Sequence, residues 1–400
     1  QLDRWAVSID REVTLLIATR VEEEAKEQSQ LRALWAHDRT TSSTLLCRGT
    51  LGSGKSVLMA NMVDDLALSM AGEECSIAYF FICANVESMR ARTILGCVAR
   101  QLLEVLPHQN WEGDPSKQSA KLDIEEVTEL LCKMVPNSRR LVIIVDALDQ
   151  CPRQERVELF NQLKRLRETF RVLVCGSLRV EANIQPETDC QALDPEFVFE
   201  IPLVNPEIAR FVETQLQVLL QSGELAVRDP RLVDEIRGCL VDGADGMFLW
   251  VVLQLRTLCG LEKTDKGIRQ GLRDIPRGLP ATYDQILTES QGPGSRVQLR
   301  ILKVLTAAFR ALTIDEVREI LSIVPGEICW SEERLINDIY ATLSCCGSLL
   351  LVDEEEFTVH LVHPSVRQFL LGEMRDSLPF KRWQFTLQEA HSEMAGATIT

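Results

Sequence analysis

Gly49-Thr50-Leu51-Gly52-Ser53-Gly54-Lys55-Ser56 has the G-x-x-x-x-G-K-S spacing of a loop that wraps the phosphates of a nucleotide. Glycines at these places let the backbone curl until successive N–H groups point at phosphate oxygens. Gly49, Gly52, Ser53, Gly54 and Val57 would line that cradle, Lys55 would reach the β- and γ-phosphates, and Ser56 would ligate magnesium. An apolar run ending in Leu45-Leu46-Cys47 precedes the loop, and Lys55 to Met70 reads as a helix with Leu58, Met62, Leu66 and Met70 on one stripe. That is the strand, loop and helix context the motif requires. The bland alternative, a glycine-rich turn ahead of a helix, is disfavoured by these flanks.

A second stretch, Leu141-Val142-Ile143-Ile144-Val145-Asp146-Ala147-Leu148-Asp149-Gln150, reads as a strand buried on both faces of a sheet. Asp146 stands at its carboxyl end, where α/β sheets bind ligands. With the phosphate loop upstream, Asp146 is expected to hold magnesium beside Ser56. Ser76 to Cys83, Arg171 to Gly176 and Phe197 to Leu203 read as further strands, and Ala91 to Leu106 as a helix. Asp123-Ile124-Glu125-Glu126 offers a capping box for another.

The chain has 400 residues and a formal net charge of −16, which opposes nonspecific nucleic-acid binding, since phosphate contacts need a Lys/Arg excess on some face. Binding of a single nucleotide survives that objection, because the loop uses backbone dipoles, one lysine and a metal. No apolar run is long enough to span a bilayer. Thirteen cysteines without a C-x-x-C pair read as free thiols of a reducing cytoplasm. The opening Gln1 suggests a piece of something longer.

Beyond Asn205 the pattern turns helical. Asn205-Pro206 and Asp229-Pro230 are helix starts, Gly246 to Leu258 is a strongly apolar helix, and Gln291-Gly292-Pro293-Gly294 reads as a linker. Leu299 to Phe309, a helix opened by the capping box Thr313-Ile314-Asp315-Glu316, and Leu335 to Cys345 are three helices. Gly347 to Val352 and Glu356 to Val362 alternate as two strands around Asp353-Glu354-Glu355. Three helices and a hairpin make a winged helix. The expected architecture is an α/β P-loop domain (parallel sheet, helices on both faces), then an all-α lid and a winged-helix domain. The boundaries are residues 1–40 for a helical linker, 41–205 for the nucleotide-binding domain, 206–292 for the lid, 293–373 for the winged helix and 374–400 for the start of a further helical domain.

The loop, Tyr79-Phe80-Phe81, Val145-Asp146-Ala147-Leu148-Asp149, Gly246-Met247-Phe248-Leu249-Trp250, Leu279-Pro280 to Tyr283, and Leu361-Val362-His363-Pro364-Ser365-Val366 occur in this order. In that order they resemble NACHT-type STAND NTPases, and among them the fungal NOD-like receptors. Their nucleotide domain is nephrocystin-like and their winged helix resembles that of GPI inositol-deacylase. The resemblance implies a nucleotide-driven signalling switch in innate immunity. It would hold ADP when closed, bind ATP and magnesium when open, then self-oligomerise to engage effector and sensor domains outside this stretch. It also implies roles for single residues: Asp149, with Gln150, in the acidic pair that polarises water; Arg179 as sensor arginine; Gly246 and Phe248 against the adenine; His363 on the β-phosphate of ADP.

Three departures stand out. Gln150 replaces a common glutamate, and an amide cannot accept a proton, so at most slow ATP hydrolysis is expected. Phe248 replaces a proline, and Leu178 separates Ser177 from Arg179. For His363 the alternative is a capping or core histidine. Two other functions compete with the switch: a nucleotide-stabilised scaffold that does not hydrolyse, and a conventional phosphoryl-transfer enzyme, which the helical block and winged helix disfavour.

Overall fold

The computed structural model describes residues 43–69, 75–82, 89–105, 123–136, 139–180, 195–202, 204–261, 263–290, 295–324, 332–374 and 378–398. The helical linker expected over 1–40 and the linker Gln291 to Gly294 lie outside them. The chain divides into two compact units between Leu203 and Val204.

In the first unit the elements run β1 (Ser43–Gly49), α1 (Lys55–Ser69), β2 (Cys75–Phe81), α2 (Ala91–Val105), α3 (Ile124–Met134), β3 (Arg140–Asp146), α4 (Arg153–Thr169), β4 (Arg171–Arg179) and β5 (Phe197–Glu200). The five strands form one sheet in the order β2-β3-β4-β1-β5, and every pairing is parallel. Successive strand side chains face opposite ways, so β3 feeds two cores. Leu141, Ile143 and Val145 pack with Ile94, Leu131, Leu159 and Phe160 of α2, α3 and α4. Val142 and Ile144 pack with Leu58, Met59, Met62 and Leu66 of α1. Leu58, Met62 and Leu66 of the stripe read from α1 are therefore core, as a period near four requires, while Met70 lies outside the described residues. Each such side chain contributes about 1.5–3 kcal/mol by leaving water. The expected cap of α3 is present, with Glu126 N donating to Asp123 Oδ1 at 2.8 Å and Asp123 N to Glu126 Oε2 at 2.8 Å. Helix α4 was not legible in the sequence, because charged residues dilute its apolar stripe of Leu159, Phe160, Leu163 and Leu166.

The second unit begins with α5 (Glu207–Ser222), α6 (Pro230–Gly243), α7 (Phe248–Gly260), α8 (Asp265–Arg273) and α9 (Leu279–Glu289). The polar groups buried among them are paired. Trp250 Nε1 donates to Pro276 O at 3.0 Å, and Gln254 Nε2 to Thr282 Oγ1 at 3.0 Å. Then follow α10 (Ser295–Ala307), β6 (Leu312–Thr313), α11 (Ile314–Ser322), α12 (Ile339–Leu343), β7 (Leu350–Asp353), β8 (Thr358–Leu361), α13 (Pro364–Leu370) and α14 (Leu387–Thr398). β6, β8 and β7 form an antiparallel sheet in that order, the wing of the winged helix.

Two expectations need correction. The helix read over Leu335 to Cys345 is regular only at Ile339–Leu343, where Asp338 caps it through Ala341 N at 2.9 Å. A 3-10 segment, Ser344–Leu349, follows, kinked in its middle by Gly347 at φ 58°. The stretch 374–400, expected to start a further helical domain, holds not one helix but a 3-10 turn, Leu378–Trp383, and then α14. That helix is tied to α10 by Arg300 Nε and Glu393 Oε1 at 2.7 Å.

The α11 capping box is reinforced from outside. Thr313 N donates to Glu316 Oε2 at 2.9 Å, and Arg310 Nη1 donates to the same oxygen at 2.9 Å. Arg310 holds the Glu316 carboxyl down at about 2, with the Thr313 backbone acting the same way. A carboxyl depressed on folding contributes stability above its unfolded pKa of about 4.3, and that contribution is lost as pH falls through the folded value. Glu316→Gln is therefore expected to lower the melting temperature at pH 7, with the gap to wild type closing between about pH 4 and pH 2. Thermal denaturation followed by circular dichroism across that range measures it.

Candidate nucleotide site

The strand register brings the chemistry of the first unit to one sheet edge. Gly49 lies opposite Arg179, Cys47 opposite Ser177 and Val145 opposite Gly176. The loop after β1, the end of β3 and the end of β4 therefore converge at the carboxyl ends of three adjacent strands.

Within the loop, Gly52 and Gly54 adopt φ of 74° and 86°, a left-handed conformation that costs other L-residues about 1–2 kcal/mol. A Cβ on Gly49 would lie 2.6 Å from Ser53 Oγ and 3.2 Å from Ile201 Cβ, so a larger residue there would push the Ser53 hydroxyl aside and crowd Ile201. Lys55 starts α1 and is 9% exposed. Its ammonium reaches back over the loop to Gly49 O at 2.9 Å and Thr50 O at 2.6 Å. Ser53 Oγ is buried with no hydrogen-bond partner among the described residues. Such a group loses free energy unless something arrives to pair it.

Asp146 is 3% exposed, and Ser177 is fully buried beside it. The Ser177 hydroxyl donates to Asp146 Oδ1 and accepts from Ala147 N at 2.9 Å. Ala147 stands at φ 60°, and this hydrogen bond helps hold a non-glycine residue in that conformation. Ser56 stands near enough to Asp146 to lower its carboxyl pKa, so the two side chains expected to hold magnesium are neighbours. Burial pushes the Asp146 carboxyl above the usual carboxylate range, against the hydrogen bonds of Ser177 and Ser56 and the charge of Lys55. A divalent cation would offset that desolvation. Left-handed glycines, an unpaired buried hydroxyl, one lysine and a serine–aspartate pair are a donor set that fits a magnesium nucleotide.

Arg179 and Asp149 form a second pair. Asp149 accepts from Arg179 N at 3.0 Å and lies 3.2 Å from Arg179 Nε. Both side chains are under a tenth exposed. Gln150 Oε1 is buried without a hydrogen-bond partner among the described residues. Thus Lys55, Ser56, Asp146, Asp149 and Arg179 are brought to one edge. Ser177, which carried no weight of its own in the sequence, is the residue joining Asp146 to the turn behind it. The position of Ser177 two residues before Arg179 was the one signal available.

Gly246, Phe248 and His363 belong to the second unit. Gly246 is left-handed at φ 78° in the turn before α7, and the Phe248 ring stacks edge-on against Phe211 at 5.4 Å. His363 is the N-cap of α13: its Nδ1 accepts from Ser365 N at 3.1 Å and lies 2.5 Å from Ser365 Oγ. The capping reading of this histidine is thus realised. The i, i+3 pair His360 and His363 acquires no further ligands, since no cluster of three or more His, Cys, Asp or Glu suited to a metal occurs among the described residues. The ten described cysteines are all free. No helix among the described residues is long and apolar enough to cross a membrane.

Residues 25–176 match the family described as nephrocystin 3, N-terminal, and residues 285–380 match the winged helix domain of GPI inositol-deacylase. The vegetative incompatibility protein HET-E-1 of Podospora anserina is 26% identical over 365 residues, 87% of this chain. The chain spans 26% of that protein's length. Among solved structures, the Aeropyrum pernix ORC2 protein in its ADP form aligns at TM-score 0.43 and 16% identity, over 95% of each chain. The Aeropyrum pernix ORC1 protein in complex with DNA aligns at TM-score 0.41 and 17% identity, over 86% of this chain and 90% of that one. The resemblance to NACHT-type P-loop NTPases of the fungal NOD-like receptors, read from the sequence, is thus met by a nephrocystin-3-type domain and a GPI inositol-deacylase-type winged helix matched in this order and by similarity to HET-E-1.

Proposed function

We propose that this chain is the nucleotide switch of a signalling receptor, holding ADP or ATP with magnesium at Gly49 to Ser56 and hydrolysing ATP slowly at most. The observation that carries the reading is the buried Asp146 carboxyl, held by Ser177 and close to Ser56 and Lys55. It aligns a metal ligand with the loop before any nucleotide arrives, and such preorganisation lowers the cost of binding. Of the chain's own residues, Lys55 would bind phosphate, Ser56 and Asp146 would hold a magnesium ion whose charge would neutralise the phosphates, and Ser177 orients Asp146.

The slow step also has a local cause. The Asp149 carboxylate is engaged by Arg179, and Gln150 is an amide, so neither is set to take a proton from water. That geometry favours holding over cutting, and it supports a non-hydrolysing scaffold as the second reading. His363 spends Nδ1 on the cap of α13. A β-phosphate contact of His363 that distinguishes ADP from ATP would bias the two states by its differential affinity; the resemblance also puts Gly246 and Phe248 against the adenine. ATP-bound self-association, effector and sensor engagement, and a cytoplasmic setting belong to this reading; nucleic-acid binding does not.

The test is magnesium dependence. Wild-type protein is expected to release adenine nucleotide on denaturation and to bind ATP at least about tenfold tighter with magnesium than with EDTA, a difference of about 1.4 kcal/mol. Asp146→Ala should erase that difference. Nucleotide-free protein with no measurable ATP or ADP affinity overturns both readings, and ATP turnover that falls on Asp149→Ala favours the switch over the scaffold.

A further inference from the structure

The 3-10 turn Ser344–Leu349 between α12 and β7 carries two adjacent cysteines whose sulfurs lie 3.9 Å apart. Cys346 is fully buried, with its sulfur 3.9 Å from Gln298 O, while Cys345 is partly exposed. We infer that Cys345 and Cys346 form a modification site: a vicinal dithiol that a peroxide-class oxidant enters at Cys345 and converts to an internal disulfide.

The asymmetry of the pair assigns the roles. A hydrogen bond with Cys346 holds the Cys345 thiol below the ordinary range, whereas the same contact and burial push Cys346 well above it. Nucleophilic attack is the work of a thiolate, so the accessible Cys345 attacks one peroxide oxygen. An S–O bond forms, the O–O bond breaks, and the released hydroxide leaves as water with a proton from solvent. Cys346 then attacks the sulfenic sulfur. The S–S bond forms, the S–O bond breaks, and the second hydroxide leaves as water with the Cys346 proton. Two electrons pass from the two thiols to the peroxide.

Closing the bond moves the backbone. Adjacent Cα atoms are about 3.8 Å apart, short of the roughly 4.4–6.8 Å that disulfides usually span. The Cys345 carbonyl accepts from Gln298 Nε2 at 2.6 Å, and the same fully buried amide donates to Leu287 O in α9 at 2.9 Å. Two residues on, a Cβ at Gly347 would lie 2.5 Å from Ser290 Oγ and 2.7 Å from Ile286 Cγ2, so α9 sits directly against the turn. Rearranging residues 345 to 347 pulls at the grip of the winged helix on α9. Another tie of α9 to the winged helix, Tyr283 Oη to Ser365 Oγ at 2.7 Å, ends on the hydroxyl beside His363. Oxidation thus acts on the helix that joins lid to winged helix, without requiring a nucleotide.

Peptide mapping of the purified chain after hydrogen peroxide, with amide hydrogen exchange on the same samples, tests this. The peptide containing Cys345 and Cys346 should lose two hydrogens and both free thiols, and regain them with dithiothreitol. Exchange over Leu279 to Glu289 should rise about tenfold on oxidation and fall back on reduction. Cys346→Ser should stop at a Cys345 sulfenic acid trapped by dimedone, with exchange in α9 unchanged. Three results overturn the inference: both thiols still alkylated after peroxide has exhausted free glutathione, disulfides from either cysteine to other cysteines, or an internal disulfide that leaves α9 exchange unaltered.

Discussion

Lys55→Ala is expected to abolish retention of adenine nucleotide through purification and to weaken ATP and ADP binding at least about a hundredfold, or roughly 2.7 kcal/mol. The magnitude follows from what the ammonium does. Hydrogen bonds to a charged partner contribute about 1.5–3 kcal/mol each, and a lysine that reaches two phosphates makes more than one. In the structure the same ammonium closes on Gly49 O and Thr50 O, and Gly49 O keeps its hydrogen bond from Val180 N at 3.1 Å once the side chain is removed. The melting temperature should therefore change little while affinity collapses. Isothermal titration with ATP and with ADP reads the effect, and unchanged affinity would remove Gly49 to Ser56 from the site.

The second large effect is at Arg179. Its guanidinium is the countercharge of Asp149, and both side chains are nearly excluded from water. Removing one member of such a pair leaves a buried charge alone, at about 3–5 kcal/mol, so Arg179→Ala should lower the melting temperature by roughly 10 °C. Asp149→Asn should cost less, because an amide oxygen still accepts from Arg179 N. The double variant Asp149→Ala with Arg179→Ala should recover part of the loss, the signature of a direct pair. Additive losses in that cycle would sink the pairing. The cycle also separates two roles for Asp149. If Asp149 serves to hold Arg179, both single variants change ATP turnover alike; if it polarises water, Asp149→Ala removes turnover that Arg179→Ala leaves in part.

The loop, its lysine and the strand-end Asp146 were legible in the sequence because each rests on a local pattern. Glycine spacing dictates a curled backbone, and an apolar run ending in aspartate dictates a strand with its carboxylate at the edge. Both capping boxes were legible for the same reason, since a cap is settled within four residues. Helix α4 was missed because its charged residues mask its period, and the helix at Leu335 to Cys345 was read too long because Gly347 and the packing of α9 turn the chain there.

What the sequence alone determined is that Gly49 to Ser56 and Asp146 have the makings of a phosphate and magnesium site, and that a helical block and a winged helix follow. What only the tertiary structure decided is who holds whom. Ser177 meets Asp146 across 31 residues, Arg179 meets Asp149 across 30, and His363 is bound into its own helix cap. Those partners follow from the parallel register of β3, β4 and β1 and from the burial that forces each polar group to find a partner, and neither is written in the spacing of residues along a chain.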